Sequence, residues 1–272
     1  MDISINLTIH DKAFLLPESL GALEEMTDWT STEIIFILDG CTDDSLQIVQ
    51  SWCKRNHRIK SKIIETPNVF EVISNNVAAK ASQGDYIIIL QDDQIVDHYN
   101  WTKRILQPFQ LFSDVFAVTG NCAHGWKLNP DSEYLKNPVV RNDRWCDLLI
   151  ATDHANKQNF FKGVLKIRST ANRGPLAIKL GDLETMGYFD ESFAPLDCDD
   201  HDLFYRMRKK LGKFVGYTWI SWYSKPEWGG TRDENGKTKP WAYEAQNKNT
   251  LLFYERHKDL IGNNIIEDRI IT

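Results

Sequence analysis

Gly84-Asp85-Tyr86-Ile87-Ile88-Ile89-Leu90-Gln91-Asp92-Asp93-Gln94 decides the fold. The run from Tyr86 to Leu90 is apolar and β-branched, and it stops at two adjacent carboxylates. A short continuous run of this kind reads as a strand covered on both faces, as in the middle of a parallel sheet. Ligands of open α/β sheets sit just beyond the carboxyl ends of the strands, where Asp92 and Asp93 are delivered. Two such close carboxylates repel one another unless a cation is near. Asp is also a common turn residue, so the pair alone fits a polar turn equally well.

Outward from that strand the pattern repeats. Ile3 to Ile9 alternates as Ile-Ser-Ile-Asn-Leu-Thr-Ile, a strand with Thr8 and His10 at its end. Leu16, Leu20, Leu23 and Met26 then recur at helical spacing, with Pro17 in a first turn. Ile34 to Leu38 is a second buried strand, ending in Asp39-Gly40, and Thr42 to Ser45 caps a helix reaching about Lys54. Lys62 to Glu65 is a third strand, and Val72 to Ser82 a helix stopped at Gly84. Strand and helix in alternation with short loops imply a parallel sheet with right-handed crossovers. Asp39 and the Asp92-Asp93 pair therefore meet at one edge of that sheet. No G-x-G-x-x-G follows the first strand and no P-loop is present, which disfavours a dinucleotide enzyme or a P-loop ATPase.

Further along, a helix is expected near Trp101 to Phe112 and a strand at Val115 to Thr119. Residues 121–170 show little periodicity and read as a long irregular, functional segment. A short strand at Gly174 to Ile178, a helix at Leu180 to Met186 and a turn at Gly187 to Glu191 follow. Asp197-Cys198-Asp199-Asp200-His201-Asp202 heads a helix, with more acids than the helix dipole needs. Trp228 to Gly236 reads as a mobile glycine-rich loop carrying Arg232, suited to closing over an anion. A helix from Trp241 to Arg256 and a short tail end the chain.

At 272 residues and 42% hydrophobic, with 11% aromatic, the chain suits one large domain, or one with a substantial extension. A net charge of -6 and scattered basic residues exclude nucleic acid as the main partner. Met1 to Ser4 carries no secretory signal, and no apolar run reaches the length of a membrane span. Five dispersed cysteines read as reduced thiols of a cytosolic protein, not as a disulfide framework or a zinc site. Nine tryptophans are many, and Trp219, Trp222, Trp228 and Trp241 fall late, as core packing or as flat surfaces for a ligand.

The order of these blocks resembles the family-2 glycosyltransferases, inverting enzymes with the GT-A nucleotide-sugar fold. The resemblance spans about residues 3 to 217. It rests on Ile5 to Thr8, Leu38 to Ser45, Asn76 to Ala78 with Gly84 to Ile87, Gln91 to Asp93, Gly174 to Ile178, Gly187 to Glu191, and Asp199 to Leu203 with Arg206. It implies an α/β fold with a Rossmann-like, mostly parallel sheet flanked by helices and an acceptor-side extension. Residues 1–120 would form the nucleotide-sugar half, 121–217 the acceptor and catalytic half, and 218–272 a covering loop and helix. Thr8, His10, Asp39, Asn76, Asp92 and Arg232 would bind the nucleotide, commonly uridine, and Asp93 the metal, Mn²⁺ or Mg²⁺. Asp200 would be the catalytic base, with Gly174, Asp199 and Trp228 on the acceptor and sugar side. The implied reaction takes a sugar from a nucleoside diphosphate sugar to a glycan or lipid-linked glycan, in the cytoplasm or peripherally at a membrane.

The chain departs from that pattern in three places. The first acid of the D-x-D motif is Gln91, the glutamate of the E-D pair is the shorter Asp199, and no histidine lies between His201 and His257. Rival readings fare worse. An aspartyl phosphatase needs a nucleophilic Asp where Ile37 stands, and a sugar nucleotidyltransferase needs a Gly-rich, Arg-containing loop after the first strand. The alternative of another class is a catalytically silent nucleotide-sugar binder, which Gln91 favours.

Overall fold

The computed structural model describes residues 2–159, 162–225, 230–233 and 235–271. The first half alternates as expected: β1 (Ile3–Ile9), α1 (Leu16–Met26), β2 (Thr32–Asp39), α2 (Ser45–Arg55), β3 (Lys60–Thr66), α3 (Phe70–Ala81) and β4 (Tyr86–Gln91). Then come β5 (Gln94–Val96), α4 (Trp101–Leu111), β6 (Val115–Thr119), β7 (Cys122–Leu128), α5 (Glu133–Lys136), β8 (Leu149–Asn156), β9 (Val164–Arg168) and β10 (Thr170–Ala171). The last part holds β11 (Leu176–Lys179), α6 (Leu180–Met186), α7 (Asp199–Leu211), β12 (Phe214–Tyr217), β13 (Trp222–Ser224), α8 (Pro240–His257) and β14 (Ile266–Ile270).

Nine strands form the central sheet in the order β14-β9-β12-β6-β11-β4-β1-β2-β3. β1, β2, β3 and β4 pair in parallel, while β9 and β11 run against the other strands. The sheet draws strands from before residue 120, between 121 and 217, and after 218. Helices cover both faces, which is why β4 is apolar and buried from Ile87 to Leu90. Ile88 and Leu90 enter one core with Leu20, Trp52 and Trp101. Ile87 and Ile89 enter the other, with Val72, Leu183 and Met207. Each such buried side chain contributes roughly 1.5–3 kcal/mol of transfer free energy.

Two expectations need correction. Residues 121–170 are only partly irregular: 129–148 hold just the short α5, but β7 and β8 form an antiparallel pair whose register shifts between Ala123 and Gly125, and β9 lies in the main sheet. The tail is β14, an edge strand on β9, held also by Arg269 on Asp114. Among the described residues, no helix is long and apolar enough to cross a membrane. All five cysteines are free and at least partly buried.

Candidate functional site

The strand ends deliver their polar residues to one cavity of about 600 Å³. Thr8, His10 and Lys12 reach it from the end of β1, Asp39 from β2, and Gln91, Asp92 and Asp93 from β4. Phe70 and Glu71 enter from the head of α3, and Pro195 and Leu196 from the loop before α7. Ser224, Lys225 and the Gly230–Arg232 segment close the remaining side. The Thr8 hydroxyl is buried at this wall with no hydrogen-bond partner, an orphan that a ligand can satisfy.

Asp39 is an organiser of that wall. Its Oδ1 accepts from Thr66 Oγ1 at 3.0 Å and from the Val69 amide at 2.8 Å, and its Oδ2 accepts from the Phe70 amide at 2.9 Å. Those bonds hold Phe70 at φ +63, a left-handed conformation unusual for a bulky residue. A carboxylate has about four lone-pair sites, so roughly one is left for a ligand. The His10 ring bonds the Asp39 carbonyl at 2.6 Å, which puts a ring proton on Nδ1.

Asp92 accepts from the His10 amide at 2.9 Å, and Asp93 accepts from the Ser224 hydroxyl at 2.7 Å. Burial pushes the Asp92 carboxyl up to about 7, Lys12 and the His10 amide oppose the rise, and Asp93 and Glu71 add to it. This floor therefore brings the carboxyls of Asp92, Asp93 and Glu71 near one another.

Beside the cavity lies a buried ionic chain. The Gln91 side-chain amide donates to Glu71 at 3.1 Å and accepts from Gln94 at 3.2 Å. Glu71 meets the Arg173 guanidinium at 3.2 Å, and Arg173 forks onto both oxygens of the fully buried Asp199. Burial raises the Asp199 and Glu71 carboxyls, and Arg173 opposes the rise at both. The two-pronged guanidinium bond requires an ionised Asp199. Next to this pair, Asp200 accepts from the His201 amide at 2.8 Å and the Arg173 amide at 3.3 Å. Burial drives His201 down to about 3, so it is neutral, and it bonds Thr170 Oγ1 at 2.8 Å. Asp197 and Cys198 precede the helix at φ +75 and +65, a strained pair of the sort found at functional sites. The Asn249 amide of α8 clamps this turn through the carbonyls of Phe193 and Leu196, each at 2.6 Å.

Of the expected site residues, Thr8, His10, Asp39, Asp92, Asp93 and Arg232 line the one cavity. Asn76 does not. Its amide brackets the Phe189 peptide, donating at 2.9 Å and accepting at 3.0 Å, so it ties α3 to the turn before α7. Asp199 is not on an acceptor surface either, since its carboxylate is spent on Arg173. Gly174 is buried, at φ +66, and its carbonyl takes the Gln94 amide at 2.6 Å; a Cβ there would run into that side chain. Its role is to let the chain turn. Asp200 lies at the head of α7, outside the residues that line the cavity, a few residues after Pro195 and Leu196, which do line it. Trp228 falls outside the described residues.

Lys12, Glu71, Arg173 and Ser224 belong to the site and escaped the sequence reading. Lys12, three residues beyond β1, was the one with a usable signal, a cation after a strand end. Among the described residues the one trio with metal-ligand spacing is Asp11, Cys41 and Asp43. Its carboxylates instead lace two loops together, Asp11 accepting from the Thr42 amide at 2.6 Å and Asp43 from the Ala13 amide at 2.8 Å.

Residues 4–174 match the family described as "Glycosyl transferase family 2", and the chain belongs to that family. An uncharacterized glycosyltransferase of Haemophilus influenzae is 27% identical over 122 residues, which is 44% of this chain and 47% of that protein. The chain thus matches about half the length of this curated relative. A mannosyltransferase of Pyrobaculum calidifontis, solved with GDP-Man and Mn²⁺, superposes with a TM-score of 0.56 at 16% identity, over 92% of this chain and 69% of that one. TarS of S. aureus (residues 1–349), solved with UDP-GlcNAc, gives 0.53 at 14% identity, over 97% and 74%. GalNAc-T7 with UDP, GalNAc and Mn²⁺ gives 0.57 at 13%, over 80% and 42%. At these identities the likeness is one of fold, the GT-A fold.

Proposed function

We propose that this glycosyltransferase moves a sugar from a nucleoside diphosphate sugar, a UDP-sugar by preference, to a hydroxyl of a glycan or lipid-linked glycan, with inversion. The observation that carries the donor assignment is the meeting of Thr8, His10, Asp39, Asp92, Asp93 and Arg232 around one cavity. Residues 1–120 supply the donor half, 121–217 the acceptor and catalytic half, and 218–272 the cover.

In this reading the base and ribose take the end of the cavity with His10, Thr8 and the last lone pair of Asp39. Arg232 and Lys12 face the diphosphate. The acidic floor suits a divalent cation: Asp92 is buried with Asp93 and Glu71 near it, and a phosphate-binding wall would otherwise repel its ligand. Asp93 would hold Mn²⁺ or Mg²⁺, with Asp92 on the ribose or sugar beside it. A bound cation would supply neutralisation of the leaving diphosphate.

Asp200 is assigned as the general base. Two backbone amides fix the orientation of its carboxylate. The acceptor hydroxyl gives its proton to Asp200 as its oxygen bonds the anomeric carbon, and the bond from that carbon to the phosphate oxygen breaks with its electrons. One displacement from the opposite face inverts the centre. Pro195 and Leu196 line the cavity just ahead of Asp200 in the chain, so in this reading their loop yields to bring acceptor and base together.

A thermal-shift screen against UDP-, GDP- and dTDP-sugars with Mn²⁺ tests the reading. Stabilisation by one nucleotide class, followed by turnover of that donor, is the expected result. Stabilisation without turnover against any hydroxyl acceptor would favour the silent binder, for which Gln91 speaks. No stabilisation by any of them removes the donor assignment.

A further inference from the structure

Away from the phosphate wall, three cations gather on two tryptophans. Arg104 lies 5.2 Å and Lys162 4.6 Å from the centre of the Trp219 ring, and Lys157 lies 5.6 Å from that of Trp222. The His98 ring also stands against Trp219, at 6.2 Å. Lys103, next in sequence to Arg104, is neutralised by Asp28 at 3.0 Å. Among the described residues no carboxylate pairs with Arg104, Lys157 or Lys162. Lys157 and Lys162 are exposed and Arg104 is half-buried.

This concentration of charge runs against a chain whose net charge is -6. Gathering like charges costs Coulomb energy, which the ring faces offset only by about 0.5–1 kcal/mol at each exposed contact. The crowding is felt by His98: burial lowers its pKa, Arg104 and Lys162 lower it further, and Asp97 is the acid that opposes them. A cluster kept at such a cost, with no carboxylate partner among the described residues, is matched to an anion from outside.

The cluster is joined to the cavity by β13. Trp222 and Ser224 are two residues apart on that strand, so they share a face and stand about 7 Å apart. Ser224 donates to Asp93 at the cavity floor, and the Trp222 indole N–H donates to the Gly120 carbonyl at 2.8 Å, which fixes the ring. Going outward, β13 pairs Ser224 with Gln94 and Trp222 with Val96 of β5, and the chain just beyond β5 sets His98 against Trp219.

We propose that Arg104, Lys157 and Lys162, propped on Trp219 and Trp222, form a subsite for the carboxylate or phosphate groups of an acidic glycan acceptor. The assignment of that glycan as acceptor rests on the glycosyltransferase reading above. The ligand class follows from the geometry: cations spread over two rings on an extended segment suit a chain of repeated anions better than one small ion.

The test uses two soluble probes, oligogalacturonate for carboxylates and sodium polyphosphate for phosphates, and vesicles of phosphatidylcholine with phosphatidylglycerol. The protein as it stands is compared by titration calorimetry and vesicle sedimentation with a variant carrying Arg104→Gln, Lys157→Gln and Lys162→Gln. The expected result is binding of at least one soluble probe, weakened by added salt and by the substitutions between about tenfold and a hundredfold, since each exposed ion pair is worth up to about fivefold. The variant's thermal shift with nucleotide sugar and Mn²⁺ should equal that of the parent, which separates this subsite from the donor site. Equal probe affinity for parent and variant overturns the proposal. So does binding of the vesicles with neither soluble probe, which would make the cluster a membrane contact, and so does binding of nothing. A parent that binds the probes yet shifts with no nucleotide sugar leaves the anion subsite standing and removes the transferase reading.

Discussion

Gln91 donates its side-chain amide to Glu71 across the end of β4, at 3.1 Å. The position where the family pattern places an acid therefore serves a carboxylate that comes from α3. Gln91→Asp would remove the donor and set a like charge against Glu71. We expect it to cost about 1–3 kcal/mol in the urea midpoint and leave Mn²⁺ affinity no tighter. Tighter Mn²⁺ binding at unchanged stability would make position 91 a metal seat and reverse this account.

Arg173 faces Glu71, Asp199 and Asp200 in that buried chain, and it pairs directly with the first two. Its loss strands those two carboxylates. Arg173→Met should lower stability by about 3–5 kcal/mol, read from chemical denaturation. An unaltered midpoint would show the chain to be solvated.

Asp200→Asn keeps the shape of the base and removes its proton affinity. Turnover should fall by about 10²–10⁴, while the thermal shift on adding donor and Mn²⁺ stays as in the parent. Equal loss of donor binding would move Asp200 from the acceptor side to the donor side.

Asp93→Ala should reproduce the effect of EDTA on the parent, and EDTA should then add nothing further. Activity indifferent to Mn²⁺ and Mg²⁺ would take the metal role from Asp93.

Burial pushes the Asp197 carboxyl up to about 7, and the neighbouring Asp200 and Asp199 add to the rise. The unfolded chain loses that proton near 4. Between those values the folded state holds a proton that the unfolded state has lost, so the stability this group contributes is full below about pH 4 and is lost as pH rises to about 7. Asp197→Asn removes the loss without objecting to the left-handed backbone. Its melting temperature should match the parent at pH 4 and exceed it by a few degrees at pH 8. A difference independent of pH would point to backbone strain instead.

The first half of the fold was legible because each element states its own period. β4 reads as buried from five residues, and β1, β2 and α1 do likewise. β8 and β14 do not. Leu149–Asn156 and Ile266–Ile270 are largely exposed edge or hairpin strands whose identity comes from pairing partners far off in sequence. The same division runs through the site. Asp39, Asp92 and Asp93 were found because strand ends converge by topology alone. Glu71 and Arg173 were missed because each has an ordinary local account, an acid in a first helical turn and a cation before a strand. For Asn76 and Asp199 motif position and structure say different things: motif position puts them near the chemistry, while their hydrogen bonds run within the fold.

The Asp39 carboxylate fixes the first turn of α3, and that turn carries Glu71, from which the bonds run on to Arg173 and Asp199. The Asp39 wall of the cavity and the helix that bears Asp200 are thus joined by one bonded line. Loss of the Asp39 carboxylate would therefore free not one wall residue but the helix start on which Glu71, and through it Arg173 and Asp199, are hung.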